Sequence, residues 1–188
     1  MQAFDSLSRD IQQYIYDKGW PSLTRIQNAA IKQVANTDHN LILSAPTASG
    51  KTEAAFIPAL NSVEDWDTGL KVLYISPLKA LINDQFQRIS ELSEYLDIPI
   101  TRWHGEVSQA QKRKVVNQPK GVLLITPESI EGMLVNRPGE AEHLFKGVEW
   151  IIIDELHSFL GTERGIHLQS LLQRISRFMQ APRFIAMS

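Results

Sequence analysis

The stretch from Leu41 to Pro58 contains a lysine and a hydroxyl side chain directly after a glycine, in the order Gly50-Lys51-Thr52. Between a strand and a helix, such a triplet binds phosphates through backbone N–H groups, while the lysine contacts the β- and γ-phosphates and the hydroxyl ligates Mg²⁺. The full pattern, G-x-x-x-x-G-K-S/T, has glycine where this chain has Ala45. The spacing predicts a nucleoside-triphosphate site formed by Thr47, Ala48, Ser49, Gly50, Lys51 and Thr52.

An acidic pair later in the sequence complements this loop. The segment EWIIIDELH has four apolar residues between Glu149 and the pair Asp154-Glu155. Two adjacent carboxylates after a buried strand are costly unless a cation lies nearby. We therefore expect Asp154, together with Thr52, to hold Mg²⁺, and Glu155 to polarise the attacking water. Lys51, Asp154 and Glu155 are the predicted catalytic residues.

Short apolar runs alternate with longer amphipathic segments along the chain. The runs predicted as strands are 40–45, 71–76, 99–103, 121–126, 149–154 and 183–188, and the predicted helices are 51–62, 79–95, 108–116, 128–135 and 164–179. Several strands are continuously apolar, as in parallel sheets with helices on both faces. This order predicts a doubly wound α/β domain whose ligands bind at the carboxyl ends of the strands. Residues 1–36 form a predicted N-terminal helical segment, with a turn at 18–23.

Composition excludes several classes of protein. The 188 residues contain no cysteine, so thiolate metal sites and disulfides are absent, and the five histidines lack zinc-ligand spacing. The net charge of −2 gives no general attraction to nucleic acid, so any such surface must be local. The N-terminus lacks the pattern of a secretory signal, and no apolar run is long enough to span a bilayer. We therefore predict a cytoplasmic protein with no membrane partner.

Four short segments resemble the motifs of a known family in both their order and their residues. APTASGKTE, SPLKALINDQ, TPES and DELH resemble motifs I, Ia, Ib and II in the first RecA-like domain of superfamily 2 helicases of the DEAD/DEAH-box kind. SPLKAL, HGEVS and GTERG are most similar to the Lhr (large helicase-related) group. The resemblance covers nearly the whole chain. It implies a RecA-like P-loop NTPase domain at 37–188 and a nucleic-acid-dependent ATPase that uses ATP and Mg²⁺.

The phosphate loop departs from this family at one position. Alanine at the position of Ala45 is ordinary in these helicases, but the family has glycine where this chain has Ala48. A left-handed backbone there would cost alanine about 1–2 kcal/mol, and a negative φ would cost nothing. We predict that the loop still binds ATP.

The segment GWPSLTRIQ, residues 19–27, resembles the helicase Q motif. A glutamine amide can pair with N6 and N7 of adenine, so the resemblance implies that Gln27 recognises the base. The same residues fit another interpretation, in which Thr24 caps a helix and Gln27 at the third position completes a capping box. Both interpretations stay open at this point.

Motifs Ia and Ib and a glycine-containing turn contact the sugar–phosphate backbone in the family. The resemblance therefore implies single-stranded or partly duplex DNA or RNA as a partner, contacted without base specificity. Glu128 is an acidic residue where the sugar–phosphate backbone would pass, and we expect it to have a structural role. The alternative for TPES is a helix cap, and the basic run at 111–116 fits a solvated helix face. The implied contact residues are Pro77, Leu78, Lys79, Gly105, Thr126 and Pro127.

The end of the chain also bears on function. Motif III of the family reads Ser-Ala-Thr, and Ser188 matches its first letter; His157 is implied to couple motif II to motif III. We expect the chain to be a piece of a longer protein whose second RecA-like domain supplies arginine fingers. The piece alone should bind ATP and Mg²⁺, hydrolyse ATP negligibly and unwind nothing. The alternatives are a translocase, a nucleotide-gated binding module, or another P-loop ATPase such as a transporter subunit or kinase.

Overall fold

The computed structural model describes residues 2–46 and 49–188, so the predicted phosphate-loop residues Thr47 and Ala48 lie outside the described residues. One sheet is formed by β1 (Leu41–Leu43), β2 (Gly69–Ile75), β3 (Ile100–Trp103), β4 (Lys120–Ile125), β5 (Trp150–Ile153) and β6 (Arg183–Met187). Its order is β1-β6-β5-β2-β4-β3, and every pairing is parallel. The predicted doubly wound α/β class is confirmed.

Helices precede the first strand and connect the others. They are α1 (Arg9–Asp17), α2 (Arg25–Asn36), α3 (Lys51–Ser62), α4 (Lys79–Tyr95), α5 (Gln109–Asn117), α6 (Pro127–Asn136), α7 (Pro138–Phe145) and α8 (Glu163–Ile175). The sequence prediction omitted α7, which begins with Pro138 in its first turn, where proline loses no hydrogen bond. The predicted helix 164–179 continues past α8 only as a 3-10 turn at Ser176–Phe178.

Side chains of the sheet alternate between two apolar cores. Val72 and Tyr74 of β2 face the core formed with α1 to α4, whereas Leu73 and Ile75 face the core formed with α5 to α8. All four side chains are fully buried. Burial on both faces explains why the strand sequences are continuously apolar. Because the strands are parallel, their carboxyl ends lie along one edge of the sheet.

The N-terminal helices belong to the first of these cores. Ile11 and Ile15 of α1 and Ala30 and Ile31 of α2 are buried there with residues of α3. The side chain of Thr24 caps α2. The predicted N-terminal helical segment is therefore confirmed, and it packs directly behind the helix that begins at Lys51. In the described part of the chain, no helix is both long and apolar enough to cross a membrane.

Candidate nucleotide and nucleic-acid site

The phosphate-loop candidate connects β1 to α3. Gly50, the residue before α3, has a left-handed backbone with φ of 83°, which glycine adopts without steric cost. Lys51 Nζ donates hydrogen bonds to the backbone oxygens of Ala45 (2.6 Å) and Ser188 (3.1 Å). The lysine thus joins the segment after β1 to the end of β6 and lies at the carboxyl edge of the sheet.

Two hydroxyls flank the lysine. Thr52 is buried, and its Oγ1 donates to Gln85 Oε1 of α4 at 3.1 Å. Ser49 Oγ is buried and has no hydrogen-bond partner among the described residues. A buried hydroxyl without a partner is unfavourable, so this position suits a polar ligand. Together with the left-handed Gly50, these features fit a bound phosphate chain.

The predicted acidic pair follows β5. Asp154 N donates to Ile75 O of β2 at 2.9 Å, and the Asp154 side chain is buried. Its Oδ1 accepts from the backbone N–H of Glu155 at 2.9 Å, and its Oδ2 accepts from the hydroxyl of Tyr74. Burial, the largest effect, raises the pKa of Asp154 above its ordinary value, although the Tyr74 hydrogen bond opposes that shift. A buried carboxylate of this kind suits a cation site.

Glu155, His157 and Ser188 form a chain of contacts. Glu155 has φ of 48°, a left-handed conformation uncommon outside glycine. Its Oε2 lies 3.1 Å from His157 Nε2, and His157 Nδ1 lies 3.3 Å from Ser188 Oγ. The two residues predicted to couple motifs II and III are therefore in contact with each other. Their coupling role stays a prediction.

Both interpretations of Gln27 have a structural basis. Gln27 Oε1 accepts from the backbone N–H of Thr24 at 2.9 Å, which completes the capping box of α2. Its Nε2 lies 3.5 Å from the backbone oxygen of Gly50. The side chain is buried. Its two contacts place it between the helix cap and the phosphate-loop candidate. Adenine recognition by Gln27 stays a prediction.

The residues predicted to contact nucleic acid lie after β2, β3 and β4, at the same carboxyl edge of the sheet. They are Pro77, Leu78 and Lys79 after β2, Gly105 after β3, and Thr126 and Pro127 after β4. Leu78 is 56 % exposed. Thr126 Oγ1 accepts from Ser129 N at 3.3 Å and Pro127 begins α6, so the alternative of a helix cap describes this segment correctly.

Arg164 is a residue of this face that sequence reasoning missed. One of its guanidinium nitrogens donates to Pro77 O at 2.8 Å and to Glu128 Oε1 at 2.7 Å. Its guanidinium also lies 5.6 Å from the ring centre of Phe159. Arg164 belongs to the GTERG stretch, which indicated only a family likeness. The structural role expected for Glu128 corresponds to this pair, which ties the segments after β2 and β4 together.

Two lysines of this region, Lys79 and Lys112, also contact side chains. Lys79 Nζ forms an ion pair with Glu106, and that hydrogen bond lowers the pKa of Glu106. In the basic run at 111–116, Lys112 lies 5.7 Å from the ring centre of Trp103. Lys114 lines an open groove beside β3. These placements agree with the interpretation of the run as a helix face.

Comparisons with known proteins agree with this geometry. The DEAD/DEAH box helicase model matches residues 24–188. The chain is 28 % identical to the ATP-dependent helicase Lhr-Core of Methanocaldococcus jannaschii over 194 aligned positions, covering 94 % of this chain and 22 % of that protein. It is 34 % identical to the Lhr helicase/uracil glycosylase of Escherichia coli, covering 83 % of this chain and 11 % of that protein.

Solved structures agree as well. The helicase Lhr of Mycobacterium smegmatis, bound to single-stranded DNA and AMP-PNP, superposes with a TM-score of 0.87 and 28 % identity, covering all of this chain and 25 % of that one. The chain thus spans a quarter or less of the length of these relatives. Since the family model extends over most of the sequence and the site has the geometry described above, the chain belongs to the DEAD/DEAH box helicase family.

Proposed function

We propose that the chain is the ATP-binding domain of a nucleic-acid-dependent ATPase that works as a helicase. One observation carries the proposal: Lys51 and Asp154 follow strands of the same sheet and both lie at its carboxyl edge. There Lys51 contacts Ser188 O, which follows β6, the neighbour of β5. In such sheets this edge is the ligand site. Lys51, Thr52 and Asp154 supply the cation and oxygen groups that a Mg²⁺-bound triphosphate requires.

The residues have distinct proposed roles. Lys51 exchanges its two backbone acceptors for phosphate oxygens when nucleotide binds. Mg²⁺, when bound, neutralises charge on the phosphates; Thr52 and Asp154 are the residues that would hold it, since this ion binds through few protein oxygens together with substrate phosphates. Glu155 orients the attacking water, and Gln27 contacts adenine.

Nucleic acid is proposed to bind across the ends of β2, β4 and β3. Exposed Leu78 and the backbone around Pro77, Gly105 and Thr126 provide contacts to a sugar–phosphate chain. Support comes from the Lhr structure, whose bound polymer is single-stranded DNA. We include a second RecA-like domain following the domain at 37–188 in this proposal. Its arginines would complete hydrolysis. The cytoplasmic location likewise stays a prediction.

The nucleotide site is tested by binding of a fluorescent ATP analogue in the presence of MgCl₂. Replacing Lys51 with alanine removes the cation that faces the phosphates, so the Kd should rise about 10–100-fold, the worth of one or two charge-assisted hydrogen bonds. Lys18→Ala is the matched control, because Lys18 pairs with Glu91 at the surface. Equal affinity of Lys51→Ala and the unaltered chain would refute the assignment.

The motor function requires the full-length protein. Its steady-state ATPase rate should increase with single-stranded DNA or with single-stranded RNA. The polymer that stimulates hydrolysis more strongly is then the nucleic-acid substrate. Strand displacement then separates a helicase from a translocase. If neither polymer stimulates hydrolysis while Lys51-dependent nucleotide binding is present, the chain is instead a nucleotide-gated binding module.

A further inference from the structure

Tyr74 is a buried polar residue that the proposed roles do not use. It lies in the middle of β2, its side chain is fully buried, and its ring packs on Phe56 of α3 with centroids 5.5 Å apart. Phenylalanine would fill the same space without a hydroxyl to desolvate. Buried hydroxyls need a hydrogen-bond partner to offset that cost. Here the partner is the carboxylate of Asp154.

The carboxylate of Asp154 is held by two donors. The Glu155 backbone N–H bonds to Oδ1 at 2.9 Å, and the Tyr74 hydroxyl bonds to Oδ2. Donors on both oxygens restrict rotation of the carboxylate plane. Each carboxylate oxygen has about two acceptor sites, so each keeps one for a ligand. Both donors also favour the charged form over the neutral one.

The ring of Tyr74 connects this carboxylate to the phosphate-loop helix. Phe56 lies one turn after Thr52 on α3, and Tyr74 packs on Phe56 while its hydroxyl contacts Asp154. Thr52 and Asp154 are the two residues proposed to hold Mg²⁺. A rigid aromatic pair therefore spans the distance between them through the core.

We propose that Tyr74 is a positioning residue that orients the Asp154 carboxylate for Mg²⁺-bound nucleotide. The inference rests on the proposed nucleotide function. It assigns Tyr74 no contact with substrate. As a consequence, removing the Tyr74 hydroxyl from the core should change how strongly nucleotide binding responds to Mg²⁺.

The test is a MgCl₂ titration of fluorescent ATP-analogue binding to the unaltered chain and to Tyr74→Phe. The Mg²⁺ concentration at half-maximal binding should rise about 3–10-fold, as for loss of one hydrogen bond of ordinary net strength. The affinity measured in EDTA should stay within about twofold of the original. An unchanged Mg²⁺ midpoint in Tyr74→Phe would overturn the proposal.

Tyr95→Phe is the matched control. It removes another tyrosine hydroxyl that bonds to an aspartate, Asp17 Oδ2 at 2.7 Å, but at the surface. Its Mg²⁺ midpoint should equal that of the unaltered chain. A merely structural role of Tyr74 would lower thermal stability without moving that midpoint. In an Asp154→Asn background, Tyr74→Phe should cause no further change in Mg²⁺ dependence, and a further shift would contradict the proposal.

Failure of the proposed function can be distinguished from failure of this inference. If the unaltered chain shows no Mg²⁺-dependent nucleotide binding, the proposed function is wrong and the positioning role falls with it. Urea unfolding of Tyr74→Phe, Asp154→Asn and the double variant tests the contact separately. The shifts in denaturation midpoint should be non-additive if the two side chains are coupled, and additive shifts would show that the contact itself is wrong.

Discussion

The two halves of the carboxyl edge engage their charged groups differently. Over β1, β6 and β5, Lys51 contacts two backbone oxygens, and the buried Asp154 accepts from a hydroxyl and an amide. Over β2, β4 and β3, the exposed Lys79 and Glu106 form one pair, and the half-buried Arg164 forms another with the exposed Glu128. Lys51 and Asp154 thus contact neutral partners, whereas Lys79 and Arg164 each contact a carboxylate, and Arg164 also donates to Pro77 O.

This difference has consequences for ligand binding. A charge that contacts only neutral groups keeps its full electrostatic attraction for an incoming ligand. A cation in an exposed ion pair must first lose its partner, and its attraction is screened by salt. We call the strand ends over β1, β6 and β5 the nucleotide half and those over β2, β4 and β3 the nucleic-acid half, after their proposed ligands. We therefore expect the nucleotide half to bind tightly and to depend on individual buried atoms. The nucleic-acid half should bind weakly, with strong dependence on salt.

After Lys51→Ala, the largest expected effect is that of Gly50→Ala on the nucleotide half. The new Cβ would lie 2.6 Å from Gln27 Nε2, and the backbone φ of 83° disfavours any L side chain. We expect a loss of about 1–2 kcal/mol, or about 5–30-fold in the Kd for the ATP analogue, with unchanged binding of single strands. Gly161→Ala is the control, since Gly161 has φ of 70° but open space around it. Equal losses of nucleotide affinity in both variants would contradict a local effect.

A smaller effect is expected from Glu106→Gln on the nucleic-acid half. Neutralising Glu106 frees Lys79 for phosphate, so single-strand affinity at low salt should rise about two- to threefold. The slope of log K against log salt should steepen by about 0.7 for the added phosphate contact. Glu140→Gln is the control, because it breaks the Arg137–Glu140 pair of α7. If Glu106→Gln altered nucleotide affinity instead, the two halves would not be separable.

The smallest effect is expected at Glu131, which belongs to neither half. Hydrogen bonds from Arg174, and next from His167, lower the pKa of Glu131 below its ordinary value. Its contribution to stability is therefore present above pH 4.5 and is lost as the pH falls through the lowered folded-state pKa. Because the group is partly exposed, we expect a few tenths of a kcal/mol. Urea unfolding at pH 5 and pH 3 should show a smaller loss for Glu131→Gln than for the unaltered chain. Equal losses would contradict this.

Local patterns were enough to predict the fold class and most of the elements. Continuous apolar runs predicted the parallel strands, because both faces of the sheet are covered. Helix α7 was missed because it is short and begins with Pro138-Gly139, a pair more typical of turns. The capping box at Thr24 and Gln27 was predictable from four adjacent positions, since its geometry is local.

Other parts of the site could not be found from local sequence. Arg164 contacts Pro77, which is 87 positions away, and Tyr74 contacts Asp154 across 80 positions. Such pairs depend on which strands become neighbours, and β2 lies beside β5 only through a crossover. Within the apolar segment KVLYIS, the sequence pattern predicts only that Tyr74 is an ordinary core aromatic residue. Tertiary packing, and not residue type, makes its hydroxyl a partner of the acidic pair.

The pairing of β1 with β6 sets the order in which the molecule can assemble. Leu41 lies opposite Ile185, so the strand before the phosphate-loop candidate hydrogen-bonds to a segment made more than a hundred residues later. During synthesis on the ribosome, β1 has no partner in the sheet until Arg183–Met187 has emerged. Long-range pairing of this kind is slow and leaves apolar strands exposed meanwhile. Nascent chains stopped before β6 should therefore be captured by chaperones and be unable to retain ATP.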